Sequence, residues 1–388
     1  MDDRKWYIDP FKFFAAAYAT DDLPKPDTTT LDGQRIFYRH IDGDGWNNAS
    51  DAAGHAQDLA ARAVLEETIR PYPDLPVTVA PIAADLDAKW AGSARSQQIA
   101  RDAFALPQVE AGTHTYSHPY DWNFFKDYTP QKELPFVSHY YFGNWANGDK
   151  GVGTNVSFDD YQKPGMPRDF ANERFDLDKE IGGSAAFIAQ FAPAGKRVAI
   201  LMLSGNATPY EAVLRKVREA GLRNINGGDS RFDAAFPSYS WTAPIGREVG
   251  AERQVYASDS NDNTYTNGEQ PPYDGFRQLM ETVRNTESPI RIKPFNIYHH
   301  MFSGDHEASI DAVKQNLAAA RASAIIPIEA SRYAAIADGF YHAAFLPLGP
   351  RQWEIRDRGA LQTIRFDKRG ARRFRPLARR HRRDAVPG

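Results

Sequence analysis

Two histidines four residues apart, His114-Thr-Tyr-Ser-His118, close the run QVEAGTH. Imidazoles at that interval can converge on one metal ion when the chain between them forms a helical turn. A second run, QRIFYRHI, ends in His40-Ile-Asp42-Gly-Asp44-Gly. In extended chain, residues two apart project the same way, so Asp42 and Asp44 would aim both carboxylates into one space, and the glycines permit a sharp exit. A third ends in Asn296-Ile-Tyr-His299-His300. Imidazole titrates near neutrality, so either histidine suits a general acid. A fourth ends in Asn226-Gly-Gly-Asp229, and a buried aspartate can orient and charge-stabilise a catalytic histidine. The chain has no cysteine, so any metal must be held by His, Asp, Glu or water. One aspartate could complete a ligand set with His114 and His118 while the other serves as base. Taken singly, each feature has a plainer explanation: a packed histidine pair, or an Asp-Gly turn whose carboxylates cap backbone amides. Four strand ends carrying these groups in one chain point instead to a metal site with a base and an acid beside it.

The elements that must position these groups alternate. Short strand-like runs (QRIFYRHI, LPVTVAPI, QVEAGTH, KRVAILML, LRNING, IRIKPFNIYHH) are separated by helical periodicity at Ala56 to Arg70, Ala94 to Phe104, Tyr210 to Gly221 and Glu307 to Ser323. That alternation is the pattern of an α/β chain, a parallel sheet or barrel wrapped by helices, with active sites built on the loops after the strands. Its 388 residues suit one large domain with appendages. We expect an approach segment over 1–33, a catalytic body over 34–345, a partial β-rich segment over 346–367 with a hairpin around Arg358-Gly359, and a basic, disordered tail over 368–388. An aromatic stretch from Tyr120 to Trp145 is the expected wall of a substrate groove.

Charge separates body from tail. Residues 368–383 hold nine Lys or Arg and no acid; taking these and Asp384 from totals of 47 and 50 leaves 38 basic and 49 acidic residues, a net of −11 over residues 1–367. An acidic body disfavours nucleic acid. The longest apolar runs fall short of a membrane span, and the start lacks the apolar core of a secretory signal.

In its order of motifs the sequence resembles the polysaccharide deacetylases of the NodB-homology carbohydrate esterase superfamily, and within them the PelA-type deacetylase domains of Pel exopolysaccharide biosynthesis. The stretches that carry the resemblance are WYIDPFKFF, RIFYRHIDGDGW, GTHTYSHPYDW, GLRNINGGD, SDSNDNTYTN and NIYHHMFSG, spanning roughly residues 6 to 345. It implies a distorted (β/α) barrel and a divalent metal, zinc being the expected ion, held by Asp44, His114 and His118. It further implies Asp42 as general base, His300 as general acid and Asp229 as the aspartate that tunes it. Trp122, Asn206, Asn261, Asn263, Tyr265 and His299 then fall at the substrate, an acetylated amino-sugar polysaccharide rich in N-acetylgalactosamine. Other exopolysaccharide export proteins are implied partners and a periplasmic or extracellular setting is implied, which would make this chain an excised domain or part of a longer exported protein. One departure stands out. The wider family steadies its base with an Arg-Pro element, whereas the corresponding stretch here is Leu203-Ser-Gly-Asn206-Ala-Thr-Pro209, so the base must be oriented otherwise, Asn206 being the candidate.

Two other functions compete. A carbohydrate-binding barrel that has lost catalysis predicts damaged ligands, yet Asp42, Asp44, His114, His118 and His300 are all present. A glycoside hydrolase using Asp42 and Asp44 as its carboxyl pair would hold them ~5 to 9.5 Å apart and would not need two convergent histidines. Chelator sensitivity separates the two.

Overall fold

The runs read as strands pair in parallel. A computed structural model describes residues 8–139, 166–171 and 173–367. We number the main strands β1 (Gln34–Asp42), β2 (Val77–Ala80), β3 (Val109–Thr113), β4 (Val198–Met202), β5 (Arg223–Ile225), β6 (Phe295–His300) and β7 (Ile325–Pro327). Their order is β6-β1-β2-β3-β4-β5, with β7 pairing the start of β1. All these pairings are parallel. The sheet curls into a distorted (β/α) barrel, the fold class expected. The segment Ser258–Asp262 lies along β6 and β1: the Asn296 N–H donates to Asp259 at 3.1 Å and the Tyr38 hydroxyl to Ser258 at 2.8 Å.

β1 is buried along nearly its whole length, as a central parallel strand covered on both faces must be. Ile41, Val79, Ala111 and Leu201 pack outward against the helical layer, including Ile99, Ala103 and Phe104 of the helix Ala94–Phe104. Tyr38, Ala80, Ile200, Met202 and Ile225 face inward, onto Ala330, Tyr333, Ala334 and Ala337. Those residues belong to the helix Ala330–His342, which closes the barrel interior and which the sequence reading did not single out. Three expected helices form at Ala94–Phe104, Glu211–Glu219 and Glu307–Arg321. The fourth is a short α-helix, Ala60–Val64, continued by a π-helical turn, Leu65–Ile69.

The expected hairpin around Arg358-Gly359 is corrected. The turn lies at residues 350–351, where Arg351 adopts φ +59°, between strands Ala344–Gly349 and Gln352–Arg356. Backbone at Arg358 is instead docked on the helix Ala330–His342: a Cβ on Gly339 would fall 2.3 Å from the Arg358 carbonyl oxygen. Leu361 is fully buried in the interior cluster, and Thr363–Arg365 pairs antiparallel with Lys25–Asp27. The basic run 368–388, residues 1–7 and the 140–145 part of the aromatic stretch lie outside the described residues.

Candidate active site

The ends of β1, β3 and β6 meet at one rim. Register brings Asp42, the last residue of β1, beside His300 of β6 on one side and Ala80 of β2 on the other. The strand stops there, so Asp44 is not the extended i+2 partner expected; it lies in a turn whose carbonyl accepts from the Phe302 N–H at 2.9 Å. Only glycine fits beside it. A Cβ on Gly43 would come 2.4 Å from the Ile82 nitrogen, and one on Gly45 (φ +83°) would come 2.5 Å from Phe302 Cβ. The chain is thus threaded between the loops after β2 and β6, and this turns the Asp44 carboxylate toward the histidine pair.

His114 and His118 converge, though not through a helical turn. Between them Thr115 takes φ +66°, and His118 itself takes φ +54°, left-handed values that are strained for a β-branched residue. His114 Nδ1 donates to the Met202 carbonyl at 3.0 Å, which leaves its Nε2 facing Asp44 Oδ2, 3.1 Å away. His118 Nε2 lies 3.0 Å from Asp44 Oδ1, while its Nδ1 is 2.6 Å from Asp169 Oδ2. Tyr120 donates its hydroxyl to the same Asp169. Burial opposes charge on both members of the Asp44–His118 pair, but the imidazolium holds the Asp44 carboxyl well below the usual range, and Asp44 and Asp169 hold His118 well above its own.

These three residues fit a divalent ion on two observations. One ligand atom from each lies within 4.8 Å of the others, and ligands about 2.0–2.2 Å from a tetrahedral ion sit roughly 3.3–3.5 Å apart. Both ring nitrogens of His118 are buried without an aligned hydrogen bond, the Asp169 approach being an ion pair rather than a directed bond. The carbonyl behind His114 and the carboxylate behind His118 are also the outer partners that ligand imidazoles use.

Opposite stands an acid–base pair. Asp42 Oδ2 accepts the Tyr298 hydroxyl at 2.7 Å and the Asn226 amide at 3.4 Å. Its Oδ1 is buried, has no aligned partner, and lies 3.3 Å from His300 Nε2. Burial raises the Asp42 carboxyl, despite the opposing pull of His300 and His114. His300 Nδ1 lies 2.6 Å from Asp262 Oδ1. Burial works against the imidazolium, yet Asp42 and Asp262 outweigh it and hold His300 up at about 10. The side chains of Asp44 (20 % exposed) and His300 (10 %) are the members reachable from solvent, whereas Asp42 is 1 % exposed; a substrate therefore meets the site between them.

Several expected placements are corrected. The carboxylate on His300 Nδ1 is Asp262, not Asp229; Asp229, in the loop after β5, acts on His300 only through space, its carboxyl raised by burial against the pull of that imidazole. Asn206 does not steady the base: its amide donates to Asp121 at 3.0 Å and its oxygen accepts from the Thr208 N–H, leaving Tyr298 and Asn226 to hold Asp42. His299 points to the far side of β6, because neighbours on a strand alternate faces. There it is fully buried, accepts from Arg39 at 2.8 Å, bonds Ser303 at 2.7 Å, and is kept well below its usual range by burial and by Arg39. Trp122 is fully buried with its indole N–H on the Ser204 carbonyl, and Tyr265 is buried with its hydroxyl on Thr282; both are core. Asn261 caps the helix Asp262–Thr266 through the Thr264 N–H. Asn263 keeps a buried side-chain oxygen without a partner. Within the aromatic stretch, Phe125 stacks on Phe175 at 3.9 Å and Phe124 meets Phe136 edge-on, so its described part is pinned by packing. Tyr298, Asn226, Asp169 and Asp262 are the residues the sequence reading missed. Of these, Asn226 and Tyr298 stood inside strand-end motifs without a role given to them, and Asp262 carried a signal as the first helical position after the Asn261 cap.

No family model matches the chain, and no curated protein matches it. Among solved structures it is similar to a BA3943 mutant, described as a CE4 family pseudoenzyme with restored enzymatic activity (9% identity, TM-score 0.41, 78% of this chain and 69% of that one). It is also similar to the Bc1960 peptidoglycan N-acetylglucosamine deacetylase (9%, 0.36, 76% and 86%) and to Puue allantoinase (14%, 0.43, 80% and 92%). At such distances the site has to be understood from its own residues.

Proposed function

We propose that this chain is a metal-dependent hydrolase that removes N-acetyl groups from an amino-sugar exopolysaccharide, of the Pel-like, N-acetylgalactosamine-rich kind. One observation carries the reading: Asp44, His114 and His118 gather three ligand atoms beside a buried carboxylate–imidazole pair, Asp42 and His300, 3.3 Å apart. A ligand set of two nitrogens and one carboxylate suits zinc and leaves positions open for water and substrate. Bound there, the ion would supply Lewis-acid polarisation of the amide carbonyl and a water acidified toward pKa ~7.

The chain's own residues do the rest. Asp42, fixed by Tyr298 and with Oδ1 facing His300, takes the proton from the attacking water; a carboxyl raised by burial is the stronger base for it. The water oxygen bonds to the acyl carbon, the carbon–nitrogen bond breaks, and His300 delivers its proton to the departing amine nitrogen. A group held at about 10 is protonated at neutral pH and ready for that step. Asp262 keeps the imidazole in place and charged. The product is acetate and a free sugar amine, which the acidic body tolerates. The motif resemblance supports the polymer, a periplasmic or extracellular setting, and other export proteins as partners; no described helix is long and apolar enough to cross a membrane.

Acetate release from an N-acetylated galactosamine polymer, measured before chelation, after it and on return of zinc, tests the reading. Release should cease on chelation and recover with zinc. Turnover indifferent to chelation would move the chain to the two-carboxylate hydrolases.

A further inference from the structure

The His114–His118 loop must be held in a shape its sequence does not favour. Thr115, β-branched, sits at φ +66°, a conformation that persists only where surroundings over-determine it. Its carbonyl and that of Tyr116 accept from the Ala83 and Ala84 N–H groups at 3.0 Å each. The N–H groups of Tyr116 and Ser117 point the other way, into the protein, and need an acceptor that neither strand nor helix supplies. Both end on one atom, Oε2 of Glu180, at 2.9 Å each, while Oε1 takes the Ser117 hydroxyl. Glu180 is buried in the π-helical turn Lys179–Gly183, an irregularity of the sort that marks functional positions. No proposed chemical step uses it, and it lies more than sixty residues along the chain from the loop it grips.

We propose that Glu180 is a positioning residue for the cation site: its carboxylate clamps the backbone between the two histidines, and that clamp brings both Nε2 atoms onto Asp44. The inference rests on the metal reading of that site and adds the residue that shapes it. Two N–H donors converging on one carboxylate oxygen fix a peptide plane as well as a distance, so loss of the clamp lets the Thr115 strain relax and spreads the imidazoles apart.

Cobalt(II) titration of the metal-free protein tests this, followed by visible absorption, whose d–d bands report ligand geometry. The parent should take up one equivalent. Glu180→Gln keeps an oxygen for both N–H groups and should stay within about threefold of the parent, since what it preserves is the clamp. Glu180→Ala should bind about 10- to 100-fold more weakly, the usual loss when an outer partner of a metal ligand is removed, and its bands should shift, which a general loss of stability would not produce. Glu180→Asp keeps the buried carboxylate but withdraws it by one methylene; it should show the same shift to a smaller degree and stands in if the alanine variant does not fold. Parent affinity and parent bands in Glu180→Asp or Glu180→Ala overturn the inference and leave the proposed function untouched. A parent that takes up no cobalt overturns the metal reading itself, and this inference with it.

Discussion

Of the five buried histidines among the described residues, four (His40, His299, His118 and His300) divide into two classes, and the division follows their partners rather than their depth. In the interior, His40 is stacked between Tyr38 and Tyr298 and bonded to the amides of Asn226 and Asn296; burial pushes it down to about 3. His299, beside Arg39, is likewise driven down. At the rim, His118 lies between Asp44 and Asp169, and His300 between Asp42 and Asp262; burial pushes the same way, and the carboxylates reverse it. Amide and guanidinium partners make an imidazole a neutral wedge in the core. Carboxylates on both sides make it a proton carrier or, with a cation present, a ligand. His299 and His300 are adjacent in sequence and fall on opposite sides of that divide because a strand alternates its faces.

The contrast breaks most sharply at Asp42. Asp42→Asn removes the base but no cation ligand, so acetate release should fall by about 10² to 10⁴ while zinc content per chain, measured by elemental analysis, stays at the parent value. Asp262→Asn takes one of the two carboxylates from His300. The imidazole pKa should then drop from about 10 toward its ordinary ~6.5. Because the acid must be protonated, the alkaline limb of the kcat profile should move to lower pH, with about a tenfold or greater loss at pH 8. Tyr298→Phe deletes one hydrogen bond to Asp42 and should cost about 0.5–1.5 kcal/mol, roughly a two- to thirteenfold loss in kcat with KM unchanged.

Stability should register the same division with opposite signs. His40 has a folded pKa below its unfolded one, so the stability it contributes is whole above ~6.5 and is lost as pH falls toward 3. His300 has a folded pKa above its unfolded one, so its contribution is whole below ~6.5 and is lost as pH rises through about 10. In urea titrations of metal-free protein, His40→Gln should flatten the acid side of the profile and His300→Gln the alkaline side, each by at most about 1.4 kcal/mol per pH unit. A profile unchanged on the matching side would remove that histidine from its class.

What the sequence made legible were the strand ends. Asp42, Asp44, His114, His118 and His300 each close an apolar run, and parallel strands deliver their ends to one rim, so their meeting followed from order alone. The sequence left His299 and His300 undecided, because alternation tells that they part but not which face is the cleft. Asp169 comes from a loop without period and Asp262 opens a helix of five residues, and nothing local ties Asp262 rather than Asp229 to an imidazole far along the chain. The strain at Thr115 was hidden for a related reason: a threonine predicts extended or helical backbone, and its left-handed turn exists because Glu180, Ala83 and Ala84 hold it from outside. The helix Ala330–His342 escaped notice since its buried face meets the inside of a barrel, where small residues such as Ala330, Ala334 and Ala337 leave only a weak apolar stripe.

The central claim is that Asp44, His114 and His118 share one cation. Anomalous diffraction at the zinc edge, from crystals soaked in zinc after chelation, tests it most directly. The expected result is a single strong peak within about 2.0–2.2 Å of both Nε2 atoms and an Asp44 oxygen, with Asp42 and His300 outside that shell. A rim without a peak, or a peak held by Asp42 and His300 in place of the two histidines, would contradict it.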